Sequence, residues 1–215
     1  MKEYINILSE AQLFSQMTEK EILIAVDCIG AKIKRYKNGE QILRVGDTIR
    51  SLGMIAEGNA VISRDDFWGN SSVIAKLAPP QFFGVSYALS SSGESEVNVI
   101  AEKDTKVIYF DVNKILNPSS SEYAVHNKIV KNLVTILSNK NIQLSNKIDH
   151  ISQRKLRDKI LSYLSGISQK KKSHSFNIPF SRQQLADYLC ADRSALSNEL
   201  CKLRDDGVID FKKNH

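Results

Sequence analysis

The last part of the chain carries apolar residues at helical spacing on both sides of a tight turn. Ser181 and Asp192, both residue types that commonly cap helix N-termini, each stand just before a run of this pattern. The apolar positions are Leu185, Leu189, Leu196, Leu200 and Leu203. The pattern predicts two short helices in a helix-turn-helix arrangement, although any pair of packed antiparallel helices could produce it.

The residues after these helices favour a helix-turn-helix over a plain helical hairpin. Gly207 is suited to end the second helix, and the alternating run at residues 208–211 predicts a short strand. A helix-turn-helix followed by a strand suggests a winged helix. Residues 212–215 stand where the wing should turn back, so we expect its return strand to be missing.

The second predicted helix presents small polar and basic side chains, which can reach base edges in the major groove of duplex DNA. The candidate base-reading residues are Arg193, Ser194, Ser197 and Asn198. Arginine suits guanine and asparagine suits adenine, whereas serine is adaptable. Three other residues are better placed for phosphates, which set position rather than sequence. They are Ser181, Arg182 and Lys202.

The positive charge of the chain is concentrated in the same region. The net charge of the 215 residues is +6, and residues 149–215 contain 13 Lys and Arg against 8 Asp and Glu, compared with 17 against 16 before them. A basic region attracts phosphate whatever the base sequence, so the charge supports DNA binding without defining a site. No apolar run is long enough to cross a bilayer and no signal peptide is visible, which predicts a soluble cytoplasmic protein without a membrane partner.

The first part of the chain has a different pattern, in which short alternating stretches are separated by glycine turns. After an amphipathic helix at about residues 19–28, strands are predicted at 31–36, 41–44, 52–58, 60–63, 72–77, 96–101 and 106–110. Many short strands with regular turns predict a β sandwich or a small barrel. Trp68 falls in a predicted hairpin tip, either as a flap residue or as an exposed turn aromatic.

A long helix is predicted between the two regions, from about residue 122 to residue 152, because this stretch contains no Gly or Pro. Apolar residues recur there every seventh position, which is typical of the seam of a helical dimer. The candidate seam consists of Val130, Leu133, Leu137, Leu144, Ile148 and Ile151, with Val134 on the same side. A single amphipathic helix packed on its own β domain would give a similar pattern. Lys140 and Asn141 interrupt the seam and could fix its register or face a ligand.

The order of these parts resembles the Crp/Fnr family of bacterial transcription regulators. The resemblance is carried by the segments 38–47, 54–60, 80–84, 181–189 and 193–197. It implies an α+β fold with an N-terminal double-stranded β-helix (jelly-roll-like) sensor domain at residues 1–120, a dimerisation helix at 121–152 and a C-terminal winged helix-turn-helix at 153–215. It also implies a homodimer on a palindromic DNA site, RNA polymerase as a partner, and a hinge near residues 149–155.

Two positions depart from the family members that bind cyclic AMP. Those members carry Phe-Gly-Glu in a loop, where the Glu holds the ribose hydroxyl, and about ten residues later an Arg that pairs with the cyclic phosphate. Here Val85 follows Gly84, and Ser95-Glu96 replaces the pair that contains the Arg. A buried phosphate without a cation and near a carboxylate is strongly disfavoured, so we expect no tight cyclic-nucleotide binding.

The expected effector pocket lies around this loop and holds either an unidentified small molecule or no ligand. Its candidate residues are Phe83, Gly84, Val85, Ser86, Ser95 and Glu96, capped by Lys140 and Asn141. The recognition helix also departs from the cyclic-AMP type, which has Arg-Glu near its start and an Arg four residues after the Glu. Arg193, Ser194 and Asn198 occupy the matching positions here, so we expect a different operator.

The sequence contains no recognisable set of residues for a metal site, a redox cofactor or a catalytic centre. The cysteines Cys28, Cys190 and Cys201 are far apart and no His precedes the long helix, so we expect no iron–sulfur cluster, haem or metal site. We interpret Cys190 and Cys201 as small buried hydrophobes rather than a thiol switch. No catalytic motif is visible, which argues against an enzyme. The remaining alternative is a β-roll adaptor whose winged helix binds protein rather than DNA.

Overall fold

The computed structural model describes residues 1–65, 71–117 and 123–212. The chain divides into two compact units, Met1–Ile136 and Leu137–His215. Trp68, with the predicted hairpin tip around it, lies outside the described residues, as do residues 213–215 at the end of the predicted wing.

The first unit is built mainly of strands, as the alternating pattern predicts. The strands are β1 (Lys32–Tyr36), β2 (Gln41–Leu43), β3 (Ser51–Glu57), β4 (Ala60–Asp65), β5 (Ser71–Leu77), β6 (Phe82–Phe83), β7 (Asn98–Ala101) and β8 (Thr105–Asp111). They form two four-stranded antiparallel sheets, in the orders β1-β8-β3-β6 and β2-β7-β4-β5. All seven predicted strand stretches are confirmed, whereas β6 is too short for an alternating pattern to reveal it.

The inner faces of the two sheets share one apolar core, which confirms the predicted sandwich. Its buried residues are Tyr36, Ile55, Ala60, Leu77, Phe83, Val99, Ala101 and Val107. The Phe83 ring stands edge-on to Tyr109, with 6.3 Å between ring centroids. A Cβ on Gly53 would lie 2.2 Å from the Phe83 ring, so only glycine allows this packing.

Short helices flank the sheets, and a long helix leaves the unit. They are α1 (Ile5–Glu10), α2 (Glu19–Cys28), α3 (Val85–Ala88), α4 (Val112–Leu116) and α5 (Tyr123–Ile151). The predicted helix at 19–28 is confirmed, and Thr18 and Glu21 form a reciprocal capping box at its start. The predicted long helix is confirmed within one residue at each end.

The first turns of α5 pack on their own unit. Val125, Ile129 and Leu133 are buried there. Lys128 Nζ lies 2.6 Å from Glu21 Oε1, and the Asn132 amide donates hydrogen bonds to the carbonyls of Leu13 and Ser15. The Lys128 hydrogen bond is the main reason that the pKa of Glu21 falls to about 2. This half of α5 therefore follows the alternative of an amphipathic helix on its own β domain.

The second unit contains the last part of α5 and three further helices, α6 (Leu156–Lys171), α7 (Arg182–Tyr188) and α8 (Arg193–Asp205). Ser181 and Asp192 cap α7 and α8 as predicted. The five leucines that define the helix-turn-helix pattern are all buried in one cluster with Ile160, Tyr163 and Ala186. The predicted helix-turn-helix is confirmed.

The strand predicted at residues 208–211 does not form. Val208 and Ile209 donate their backbone N–H groups back to the carbonyl of Leu203, at the end of α8, and the segment pairs with no strand among the described residues. An extended segment becomes a strand only when a neighbour accepts its hydrogen bonds. The alternation in the sequence is nonetheless real, because Ile209 and Phe211 pack on the cluster of the second unit.

Candidate DNA interface and effector region

The N-terminal end of α8 presents the predicted base-reading residues. The leucines of α8 face the core of the second unit, and Arg193, Ser194 and Asn198 are exposed on the opposite side, with Ser197 half-buried. The side chain of Asp192 accepts hydrogen bonds from the backbone N–H groups of Ser194 (2.8 Å) and Ala195 (3.0 Å). The helix therefore starts at a defined residue and carries a polar, accessible first turn.

Asp192 also changes the chemistry of this first turn. The Ser194 hydroxyl donates a hydrogen bond to the same carboxylate oxygen that caps the helix. The bond from this hydroxyl is the main cause that lowers the pKa of Asp192, so the cap remains an anion at neutral pH. Ser194 is thus left with acceptor capacity, and the donor that could reach a base edge comes from Arg193 or Asn198.

The turn between α7 and α8 places a cysteine in a backbone conformation that favours glycine. Cys190 has φ = +52°. Its side chain is exposed, as is that of Cys201 on the outer face of α8. The interpretation of these two residues as buried hydrophobes is wrong, because the interior of the helix pair is filled by Ala186 and the five leucines.

The three predicted phosphate ligands have different surroundings. Lys202 is exposed, 3.8 Å from Glu199 Oε2. Ser181 uses its hydroxyl oxygen to cap α7, where it accepts a hydrogen bond from the backbone N–H of Gln184. The Arg182 guanidinium is half-buried and stacks 4.6 Å from the ring centroid of Phe211, and burial lowers its pKa. Sequence reasoning missed this stacking, because Phe211 lies almost thirty residues away.

The predicted effector residues of the β sandwich fall into an inward and an outward group. Phe83 is part of the core, and the Ser95 hydroxyl is buried and donates to the carbonyl of Val97. Glu96 is exposed, and its carboxylate lies 3.4 Å from the Arg64 guanidinium. Gly84 has φ = +74° and begins α3, where Val85 is half-buried and Ser86 is exposed. Lys140 and Asn141 are exposed residues of α5 in the second unit.

The predicted seam residues differ in exposure along α5. Leu133 is buried within the first unit, so the prediction that it belongs to an exposed seam is wrong. Its aliphatic surface is used by its own chain. Val130, Leu137 and Ile151 are half-buried, whereas Val134, Leu144 and Ile148 are exposed.

A groove of about 1170 Å³ in the second unit was not predicted from the sequence. Its walls come from α6, from the segment before α7 and from the segment after α8. Apolar side chains dominate it, among them Leu161, Leu164, Phe176, Ile178 and Phe211. The alternation of apolar and polar residues at 176–180 is the signal that could have indicated an extended wall at this place.

No helix in the described part of the chain is both long enough and apolar enough to span a membrane. The same residues contain no group of three or more His, Cys, Asp or Glu side chains that could hold a metal ion.

Comparison with known proteins identifies both parts of the chain. The model of the cyclic nucleotide-binding domain matches residues 33–118, and the model of the Crp-like helix-turn-helix domain matches residues 158–215. The cyclic AMP receptor protein of Thermus thermophilus is 22% identical over 198 residues, which cover 92% of this chain and 87% of that protein.

Solved structures share the same architecture. The catabolite activator protein of Thermus thermophilus has a TM-score of 0.58 at 20% identity, with 95% of this chain and 92% of that chain covered. CprK complexed with OCPA has a TM-score of 0.61 at 14% identity, with 88% of each chain covered. The cyclic nucleotide-binding model falls within the first unit, and the Crp-like helix-turn-helix model falls within the second unit, which contains α7 and α8. The chain is a DNA-binding transcription regulator of the Crp/Fnr family.

Proposed function

We propose that the protein acts as a homodimer that reads a palindromic operator through α8. The observation that carries the proposal is the first two turns of α8, where Arg193 and Asn198 are exposed opposite a face of buried leucines. Arginine can make paired hydrogen bonds to guanine, and asparagine can do so to adenine. Lys202 contributes a phosphate contact, which adds affinity without sequence preference. We assign sensing to residues 1–120, dimerisation to residues 121–152 and DNA binding to residues 153–215.

The second half of α5 supports the dimer. Together with Asn141, the apolar residues of this half alternate in spacings of three and four, as in the a and d positions of a coiled coil. They are Val134, Leu137, Leu144, Ile148 and Ile151. Three of these side chains are largely exposed on an isolated chain, which is unfavourable unless a partner covers them. Asn141 falls in an a position, where a polar residue fixes register and the number of strands.

Symmetry gives the expected shape of the operator. Two subunits joined along α5 present two recognition helices to successive major grooves, so the two half-sites are inverted copies about one turn of DNA apart. RNA polymerase is the protein partner that we expect on such a promoter. The hinge at residues 149–155 corresponds to the break between α5 and α6.

The effector, if the sandwich takes one, is not a cyclic nucleotide. The loop offers the apolar Val85 where a ribose acceptor would be needed, and no cation at Ser95 or Glu96. The Ser95 hydroxyl is committed to the carbonyl of Val97, and the Glu96 carboxylate is paired with the Arg64 guanidinium at 3.4 Å. A phosphodiester near these groups would lose its hydration, meet the negative charge of Glu96 and find Arg64 already paired with that carboxylate.

Isothermal titration calorimetry with cyclic AMP and with cyclic GMP should therefore detect no binding at ligand concentrations up to about 1 mM, where the binding free energy would be only about −4 kcal/mol. Micromolar affinity for either nucleotide would overturn this part of the proposal. The purified protein should be tested for bound nucleotide by acid extraction beforehand, because a ligand already in place would hide the heat.

Selection of bound sequences from a random duplex pool tests the proposed function directly. We expect a palindromic motif whose two halves are separated by about ten base pairs. The alternative of a β-roll adaptor predicts weak binding with no enriched motif. Enrichment of a single, non-repeated half-site would contradict the proposed dimer. It would still show that the protein recognises a DNA sequence.

A further inference from the structure

His150 lies in the last turn of α5 and faces the helix-turn-helix. Its Nδ1 atom is 3.0 Å from the Ser162 hydroxyl of α6. Its ring stands nearly perpendicular to the ring of Tyr163, with 5.8 Å between centroids. A Cβ on Gly166 would lie 3.4 Å from Cε1 of His150, an ordinary van der Waals contact, so the ring lies against α6 at this position. The imidazole therefore packs directly on α6.

The contact continues from α6 to the first helix of the helix-turn-helix. Tyr188, the last residue of α7, lies 6.2 Å from the His150 ring and 5.4 Å from the Tyr163 ring. Phe180 adds a further ring, 5.2 Å from Tyr188. Such aromatic groups prefer tilted and edge-to-face arrangements, each of which adds specific stabilisation beyond buried area. His150 and these rings thus join the end of α5, α6 and α7 within one unit.

We propose that His150 is a positioning residue for DNA binding: its neutral imidazole holds the last turn of α5 against α6 and α7, and its protonation releases that turn and weakens operator binding. This inference rests on the proposed function, because the same end of α5 carries Ile148 and Ile151 of the dimer seam. The two recognition helices keep their spacing only if each is held firmly to the seam. The regulated quantity is the fit of the dimer to both half-sites.

Burial, rather than charge, makes the protonation of His150 unfavourable. Burial is the main cause that lowers its pKa from the ordinary value of 6.5, and the neighbouring Asp149 opposes this only partly. Lys147, three residues earlier on α5, already places its ammonium 5.4 Å from the centre of the Tyr188 ring. A second cation on the same face of the helix adds like-charge repulsion. On α6, the Lys159 ammonium donates a hydrogen bond to the carbonyl of Leu189, the residue after Tyr188.

The direction of the pH effect follows from this lowered pKa. The folded protein holds His150 neutral more strongly than the unfolded chain does, so the contact is fully effective above about pH 6.5 and is lost as the pH falls through the folded pKa. Non-specific attraction to phosphates has the opposite trend, because protonation of exposed histidines adds positive charge. The two effects are separable by mutation.

Operator affinity should be measured at constant ionic strength at pH 7.5, 6.5 and 5.5 for the wild type, His150→Gln and His150→Phe. Glutamine retains a hydrogen-bonding partner for Ser162, and phenylalanine retains an aromatic ring, but neither can be protonated. We expect the wild type to lose about threefold to tenfold in affinity on acidification relative to both variants. His174→Gln, an exposed histidine of the same unit, is the matched control and should keep the wild-type profile.

If His150→Gln or His150→Phe lost operator affinity on acidification to the same extent as the wild type, the inference would be overturned. A proton NMR titration of the free wild-type protein supplies a readout that needs no DNA. We expect His150 to titrate below the ordinary histidine pKa of 6.5, and the ring signals of Tyr163 and Tyr188 to move with it. If these tyrosine signals do not follow His150, the inference fails; if the wild type reads no operator at pH 7.5, the proposed function fails instead and the NMR result decides the role of His150.

Discussion

Replacing Ile148 with Asp should convert the dimer to a monomer and lower its affinity for the palindromic operator at least about 100-fold. Ile148 is 60% exposed on an isolated chain and falls in an a position of the seam. An aspartate there would place two carboxylates against each other across the dimer axis. Linked half-site binding raises overall affinity by a factor on the order of 100 to 10,000, and a monomer loses this gain.

The chain offers a matched control on the same helix. Ile142 is 57% exposed, so its replacement by Asp makes the same chemical change at nearly the same exposure. It lies one residue after the a position at Asn141 and points away from the seam. Analytical ultracentrifugation should find a monomer for Ile148→Asp and a dimer for Ile142→Asp. Equal behaviour of the two variants would contradict the seam.

Replacing Arg193 with Ala should remove discrimination at one base pair of each half-site. A good paired contact from arginine to guanine is worth about 1 to 3 kcal/mol, so affinity for the selected operator should fall about 10-fold to 100-fold per half-site. Affinity for duplexes already changed at that base pair should fall much less. The measurement is a set of binding curves on the operator and on each single base-pair variant of it.

Lys202→Ala provides the comparison. The Lys202 ammonium is exposed near the end of α8, away from the first turn, and should act on the DNA backbone only. We expect its loss to weaken binding to all sequences alike and to reduce the slope of log affinity against log salt by about one per site. An equal loss at every base pair for both variants would show that Arg193 does not read a base. A loss confined to one base pair for Lys202→Ala would show that Lys202 reads a base and does not act on the DNA backbone only.

The anionic cap beside Arg193 reduces the part that Ser194 can take in base reading. Asp192 keeps its negative charge and accepts the Ser194 hydroxyl hydrogen, so Ser194 has no hydroxyl hydrogen left to donate to a base edge. Base reading therefore depends more strongly on Arg193 than the sequence pattern indicates. The difference between a free and an engaged serine is one of side-chain geometry, which no residue spacing encodes.

Local patterns were sufficient for most of the architecture. Seven strand stretches, α2, the long helix and the helix pair are visible in the sequence, because alternation, helical spacing and caps act between residues a few positions apart. The strand at 208–211 fails for the opposite reason. Its alternation is genuine, but a strand needs a partner, and partners are chosen over long separations along the chain.

The site could be predicted in position and only partly in detail. Arg193, Asn198 and Lys202 are exposed on α8 as the spacing implies. Arg182 is held by Phe211, and the Ser95 hydroxyl is held by Val97, so neither has the surroundings that its position suggested. Leu133 obeys the seam periodicity, yet its own β domain buries it. Periodicity reveals which face of a helix is apolar but not what covers that face.

The sequence by itself determined the class of the protein: a glycine-punctuated β sandwich, a long helix and a capped helix-turn-helix in this order. These features depend on short-range backbone preferences and on the alternation of apolar residues, which act before any tertiary contact forms. Only the tertiary structure decided which half of α5 remains exposed, that Arg182 stacks on Phe211, and that His150 meets Tyr163 and Tyr188. Such contacts join residues that are distant along the chain, and packing selects them from many pairings of equal local propensity.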